Sequence, residues 1–314
     1  MYTTILWIVS AAPAVVFLLL IMRMDREEPE PLSLVVRVIG LGAVAAIVAS
    51  FVERMLGVIP LFHARGLGGA AASAFLQVAP VEELAKLAVV LLFVWRNPNF
   101  NEENDGIVYV GASAIGFALL ENVGYVFQNG IDTGIVRAFT AVPLHVFTAV
   151  IMGLNVGRAR FAPEGPRRTG LIVLGFLIAW AVHGAYDTLA MEESGVPILI
   201  LPIVAGVATF GVMALKRGRR LSVRRWRGEG FFEPRAARTA RAPRWMAVVG
   251  RILIVGSAVF WGFLLLGFFA LGTLETLAYA LVGGLVLTFF PLSIGIILEV
   301  MYRRWRRRDP PAPY

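Results

Sequence analysis

Seven ionisable side chains stand inside long apolar runs of this chain. Glu82, Glu83 and Lys86 lie in PVEELAKLAVV, Glu121 in GFALLENVGYV, His145 in AVPLHVFTAV, and His183 and Asp187 in WAVHGAYDT. A charged group in the middle of a membrane span costs about 2.5–3.5 kcal/mol on insertion scales, so such groups usually carry function. Together these types can run general acid–base chemistry: a carboxylate takes a proton from water, and an imidazole donates one to a developing oxyanion or leaving amine. Three carboxylates and two histidines can also hold Zn²⁺ or another divalent ion with water in an open position, and Glu82, Glu121, His145 and His183 are the candidate ligands. No HExxH spacing is present. The chain has no cysteine, which removes thiolate catalysis, disulfides and Cys-ligated zinc.

Spacing groups these residues. On a helix either glutamate of the pair reaches Lys86, three or four residues on, and His183 and Asp187 at i,i+4 project to one side. Counting turns from the helix ends places every group between mid-membrane and the extracytoplasmic half. Pro80 and Pro143 fall within two of the same runs, where a helix-interior proline frees the carbonyl four residues earlier, at Leu76 and Phe139. Such prolines are read as packing kinks, or as the edge of a hydrated pocket.

The elements that must position these groups are membrane helices. The 314 residues are 58% hydrophobic and 16% charged, with a mean hydropathy of +0.75, and apolar blocks of about twenty residues match a hydrocarbon core of about 30 Å. Nine runs stand out: 4–22, 33–52, 70–95, 106–128, 135–156, 170–191, 196–215, 247–271 and 276–301. The fold class is therefore all-α, a polytopic transmembrane bundle of about nine spans. With the N-terminus outside and the C-terminus cytoplasmic, the outer loops hold only Arg54, Arg65 and Arg137, and nearly all other basic residues fall inside, as the positive-inside rule requires. The first run is a signal-anchor helix, since no basic start precedes it. The net charge of +8 then reflects loops facing anionic headgroups, not nucleic acid. Residues 1–215 form the core, 216–246 a basic cytoplasmic linker whose arginines and Trp226 rest on headgroups, 247–302 a C-terminal hairpin, and 303–314 a tail. Asp105 reads as an N-cap, and Gly153 with Gly157 as a close-approach GxxxG.

At its polar residues the chain resembles the PrsW family, within the wider superfamily of CAAX-processing-type intramembrane proteases. The matching motifs are EExxK at Glu82, Glu83 and Lys86, FAxxEN at Phe117, Ala118, Glu121 and Asn122, the helix histidine His145, and HxxxD from His183 to Asp187. They occur in family order on four successive runs and span about residues 1–215. The resemblance implies an intramembrane endopeptidase of the bacterial plasma membrane, glutamate-type or metal-dependent, acting on a membrane-anchored protein such as an anti-sigma factor. It further implies that one glutamate of the pair activates water and that the HxxxD pair stabilises the oxyanion. Glu82 is assigned as the base with Glu83 paired to Lys86, the exchanged assignment staying open; Lys86, Phe117 and Asn122 are supporting residues. CAAX-type proteases carry a histidine where this chain has Glu121, so Glu121 or His145 takes that part.

Two other classes use the same residues. A proton- or ion-coupled transporter also places Glu, His and Asp in the membrane, but the paired broken helices of two related halves are not seen. A non-catalytic scaffold of the same fold would keep the polar groups as interhelical hydrogen bonds. Three buried carboxylates facing one lysine fit that account poorly.

Overall fold

A computed structural model describes residues 2–25, 27–63, 65–192, 199–226, 244–271 and 299, and these contain helices and no strand. The elements are α1 (Tyr2–Met24), α2 (Leu32–Leu56), α3 (Gly66–Ser73), α4 (Ala79–Val89), α5 (Glu103–Asn129), α6 (Ile131–Phe139), α7 (Ala141–Phe161), α8 (Pro166–Met191), α9 (Ile200–Trp226) and α10 (Arg244–Leu271). Six stretches are long and apolar enough to cross a membrane: α1, α2, α5, the α6–α7 pair, α8 and α9. Many large apolar side chains on α1 and α2 face outward, among them Trp7, Ile8, Val48 and Phe51, as helices solvated by lipid do. The protein is an all-α polytopic membrane protein. The predicted run 276–301 lies outside the described residues except for Glu299.

The core sits around α5 and α7. Gly106, Gly153 and Gly157 let their backbones touch: a Cβ on Gly157 would lie 1.9 Å from the carbonyl oxygen of Glu103, and one on Gly153 2.4 Å from that of Gly106. The GxxxG is thus a helix–helix contact, as its spacing predicts. A capping box opens α5, with Glu102 as the N-cap and Asp105 at N3. Asp105 is therefore the back-bonding partner of the box, not the cap itself; its Oδ2 accepts the backbone N–H groups of Asn101 and Glu102 at 2.7 Å each.

Three boundaries differ from those read in the sequence. The run 70–95 is a continuous helical path interrupted by two π-helical turns, Ala74–Val78 and Val90–Val94, on either side of α4. In a π register the missing N–H of Pro80 falls opposite Phe75, five residues back, not Leu76. The carbonyl oxygen of Phe75 instead accepts the indole N–H of Trp180 on α8 at 2.8 Å. The run 135–156 breaks at Thr140, between α6 and α7. Pro143 therefore occupies the first turn of α7, where a helix needs no donor, and kinks nothing. Finally, α9 continues past residue 215 to Trp226. The basic stretch 216–226 is helix, and its end docks on α5: Arg225 pairs with Glu103 at 2.9 Å and Trp226 donates its indole N–H to Glu102. Trp226 rests on a carboxylate, where the sequence suggested headgroups.

Candidate active site

Between the two π turns, α4 carries Glu82, Glu83 and Lys86, all buried. Opposite them α7 brings His145, α8 brings His183 and Asp187, and α5 brings Glu121 and Phe117. Trp180 clamps α8 to the π turn. Next to His183, a Cβ on Gly184 would come within 2.7 Å of the Phe75 ring, so this position must stay small for His183 to reach the cluster.

The ammonium of Lys86 is the hub. It donates to Glu83 Oε1 at 2.8 Å and to Glu82 Oε2 at 3.2 Å, and lies 2.8 Å from His145 Nδ1. It also stands 4.5 Å from the centre of the Phe117 ring, which explains an aromatic one turn before Glu121. An ammonium only donates, so His145 Nδ1 accepts and the ring proton belongs on Nε2, which faces Glu121 Oε2 at 2.8 Å. The same logic places a proton on His183 Nδ1, 2.8 Å from Glu83 Oε1. Its Nε2 faces carboxylate oxygens as well, Asp187 Oδ2 at 3.2 Å and Glu82 Oε2 at 3.8 Å, so it carries a second proton unless an ion takes that place. Glu82 Oε2 is also 3.8 Å from His145 Nδ1, and the two imidazoles meet edge to face with centroids 4.9 Å apart.

Each histidine is thus oriented by one carboxylate (His145 by Glu121, His183 by Glu83) and turns its other nitrogen toward Glu82. That arrangement is how metal-binding imidazoles are held. Glu82, His145 and His183 offer ligand atoms all within 4.8 Å of one another. Glu83 Oε2 is buried without a hydrogen-bond partner, further donor capacity in the same space. The donor set fits a divalent ion. Glu121, the fourth ligand named from the sequence, stands beside that set, with its Oε2 engaged by His145 at 2.8 Å and by Arg137 at 3.0 Å. The cluster is sealed on the Glu83–Lys86 side, where both side chains are 0% exposed, and opens at Glu121 and Asp187, 21% and 13% exposed.

Asn122 does not face the cluster. Its amide donates to the carbonyl oxygen of Ser10 on α1 at 2.9 Å and accepts from Arg137 Nε at 3.0 Å, so it ties helices together. Two residues escaped the sequence reading. Arg137, assigned to an outer loop, lies on α6, pairs with Glu121 and stacks 4.0 Å from the centre of the Tyr125 ring. Glu53, in the last turns of α2, has a buried oxygen without a hydrogen-bond partner and stands within Coulombic range of Glu121, Asp187, His183 and Lys86. For Glu53 a signal existed: a lone carboxylate closing an apolar run. For Arg137 it was masked by the unrecognised break at Thr140.

Comparison with known proteins gives the family. The family model described as PrsW family intramembrane metalloprotease matches residues 30–215. Protease PrsW of Geobacillus kaustophilus is 38% identical over 185 residues, covering 59% of this chain and 79% of the relative. Protease PrsW of Bacillus subtilis is 30% identical over 219 residues, 69% of this chain and 97% of the relative; that of Clostridioides difficile is 27% identical over 200 residues, 62% and 83% respectively. No solved structure matches. A chain whose helices converge on these carboxylates and imidazoles, and whose core aligns with these relatives, belongs to the PrsW family of intramembrane proteases and is a multi-pass bacterial membrane peptidase.

Proposed function

We propose that the chain hydrolyses a peptide bond of a membrane-anchored protein at the cluster of Glu82, Glu83, His145, His183 and Asp187, with Lys86 and Glu121 holding the reacting groups in place. The observation that carries this reading is convergence: groups from α4, α5, α7 and α8 lie within 2.8–3.8 Å of one another in a space closed on one side. Glu82 is the better placed of the two glutamates to hold and deprotonate water. Glu83 is engaged at 2.8 Å by both Lys86 and His183, whereas Glu82 has a longer bond to Lys86 and a little exposure. His183, its Nδ1–H fixed by Glu83, presents Nε2 beside Asp187 to hold a proton and pass it to the oxyanion or leaving amine. A divalent ion on Glu82, His145 and His183 would supply Lewis-acid activation of water and of the scissile carbonyl when bound. Lys86 faces the same His145 nitrogen, so ammonium and ion compete for it.

The opening at Glu121 and Asp187 is the entry for the substrate chain. In the topology with N-terminus outside and C-terminus cytoplasmic, that opening faces the extracytoplasmic half of the bilayer. The family resemblance points to anti-sigma factors as the substrate class. Residues 1–215 carry the chemistry in this reading, and the basic segments toward the C-terminus rest on anionic headgroups. The test is cleavage of a single-span reporter in proteoliposomes, with ion flux as the control. Glu82→Gln and His183→Ala should insert normally and leave the reporter intact. Wild-type turnover by either variant removes that residue from the mechanism, and reporter-independent ion flux favours a transporter.

A further inference from the structure

A second carboxylate cluster lies away from the protease site, where the α1–α2 connection meets the start of α5. Asp25, Glu28 and Glu30 approach Glu102 and Asp105. Asp25, Glu102 and Asp105 offer oxygens within 4.8 Å of one another, and so do Glu28, Glu30 and Asp105, which makes Asp105 common to both sets. Asp25, Glu30, Glu102 and Asp105 are all more than nine-tenths buried. Among the described residues none of the five is ion-paired with a lysine, arginine or histidine; the nearby Arg225 is taken by Glu103.

The unpartnered atoms point to what is missing. Glu28 Oε2, Glu30 Oε1, Glu102 Oε1, Asp105 Oδ1 and the amide oxygen of Asn104 are each buried without a hydrogen-bond partner. Buried polar atoms in native proteins are nearly always satisfied, so five orphaned oxygens in one place demand an account. Their companion oxygens are engaged: Asp105 Oδ2 by two backbone N–H groups, Glu102 Oε2 by Trp226, Glu30 Oε2 by the Tyr109 hydroxyl, and Glu28 Oε1 by Asn101 at 3.2 Å. One oxygen each of Glu28, Glu30, Glu102 and Asp105 is therefore pinned by protein and the other left facing its neighbours, while Asp25 has both oxygens engaged, by the backbone N–H of Glu30 at 3.0 Å and the Asn104 amide at 2.9 Å.

We propose that this cluster is a binding site for a hard divalent cation of the Ca²⁺ and Mg²⁺ class, centred on Asp105 Oδ1 and holding the α1–α2 connection to the N-terminus of α5. The ligands are all oxygen, as such ions require, and oxygens on opposite sides of a Ca²⁺ ion at about 2.4 Å stand about 4.8 Å apart. Among the described residues no cation faces these carboxylates, so they stay buried either by sharing protons or by holding an ion. Burial first, and repulsion from Asp25 and Glu28 second, push Glu30 and Glu102 up to about 7 against the hydrogen bonds they accept, so an ion here displaces protons. Because Trp226 on α9 donates to Glu102, occupancy also fixes the end of α9. The site does not depend on the protease chemistry.

The test uses the full chain in nanodiscs, stripped with chelator and titrated separately with Ca²⁺, Mg²⁺ and Mn²⁺, with thermal unfolding as the readout. Tb³⁺ luminescence sensitised through Trp226 serves as a direct probe of occupancy. The expected result is a rise in melting temperature with at least one of these ions that persists in Glu82→Gln and is lost in Asp105→Asn. Glu28→Gln, at the half-buried edge where folding is least at stake, should weaken the ion about tenfold, and Trp226→Phe should reduce the sensitised emission to what Tyr109 supplies. No shift with any ion overturns the proposal. So does a shift lost in Glu82→Gln but kept in Asp105→Asn and Glu28→Gln, which places the ion in the protease site. A more stable, ion-indifferent Asp105→Asn also overturns it and assigns the cluster to shared protons.

Discussion

The two carboxylate clusters of this protein solve the same electrostatic problem in opposite ways. At the protease site Lys86 and Arg137 stand among the carboxylates, two imidazoles share their hydrogen bonds, and nearly every charge has a counterpart within 4 Å. At the α1–α2 connection the carboxylates meet, among the described residues, one another, a tyrosine, a tryptophan, a serine and amides, and no cation. A site built for chemistry must keep a defined charge before its substrate arrives, so it carries its own cations. A site that lacks them depends on something from outside. Desolvation is severe in both places; the difference lies in who supplies the compensation.

The largest effect should come from turning one carboxylate into an amide in the first cluster. Glu82→Gln should lower cleavage of a single-span reporter by about 10³-fold or more, within the range general base catalysis contributes. The same chemical change at Glu28 should move cation dependence and leave the cleavage step alone. Next in size are the residues that orient His145: Glu121→Gln or Arg137→Ala should reduce cleavage by about 10–100-fold, the usual cost of losing an orienting partner, in the same reporter assay. An undiminished rate in Arg137→Ala would show that its ion pair at the mouth of the site is only structural. Smaller again, Trp180→Phe leaves the Phe75 carbonyl without its donor and should cost about 1–3 kcal/mol in unfolding experiments. Arg225→Ala breaks a partly exposed pair with Glu103 and should cost less than about 1 kcal/mol.

Most of the candidate site was legible because membrane hydrophobicity makes every polar residue conspicuous. Glu82, Glu83, Lys86, Glu121, His145, His183 and Asp187 stand out one by one against leucine and valine, and helical spacing already pairs them. Register within the helices was not legible. The apolar pattern of 70–95 does not mark the π turns around α4; the first is where the Phe75 carbonyl and ring meet Trp180 and Gly184 of α8. The break at Thr140 hid Arg137 for the same reason: hydropathy averages over a window longer than α6. The second cluster was invisible for a different cause. Its acids occupy ordinary polar loops and a cap, where a carboxylate needs no explanation until burial is known. Asp105 fits an N-terminal capping position on sequence grounds, and only coordinates reveal its spare oxygen facing four other acids.

The account stands or falls on Glu82 as the group that activates water between two imidazoles. The direct measurement is single-turnover cleavage of a membrane-anchored reporter by purified protein in proteoliposomes, wild type against Glu82→Gln, with insertion and melting temperature matched. Cleavage by the wild type and none by the variant is the predicted result. Equal rates would place the chemistry elsewhere in the bundle.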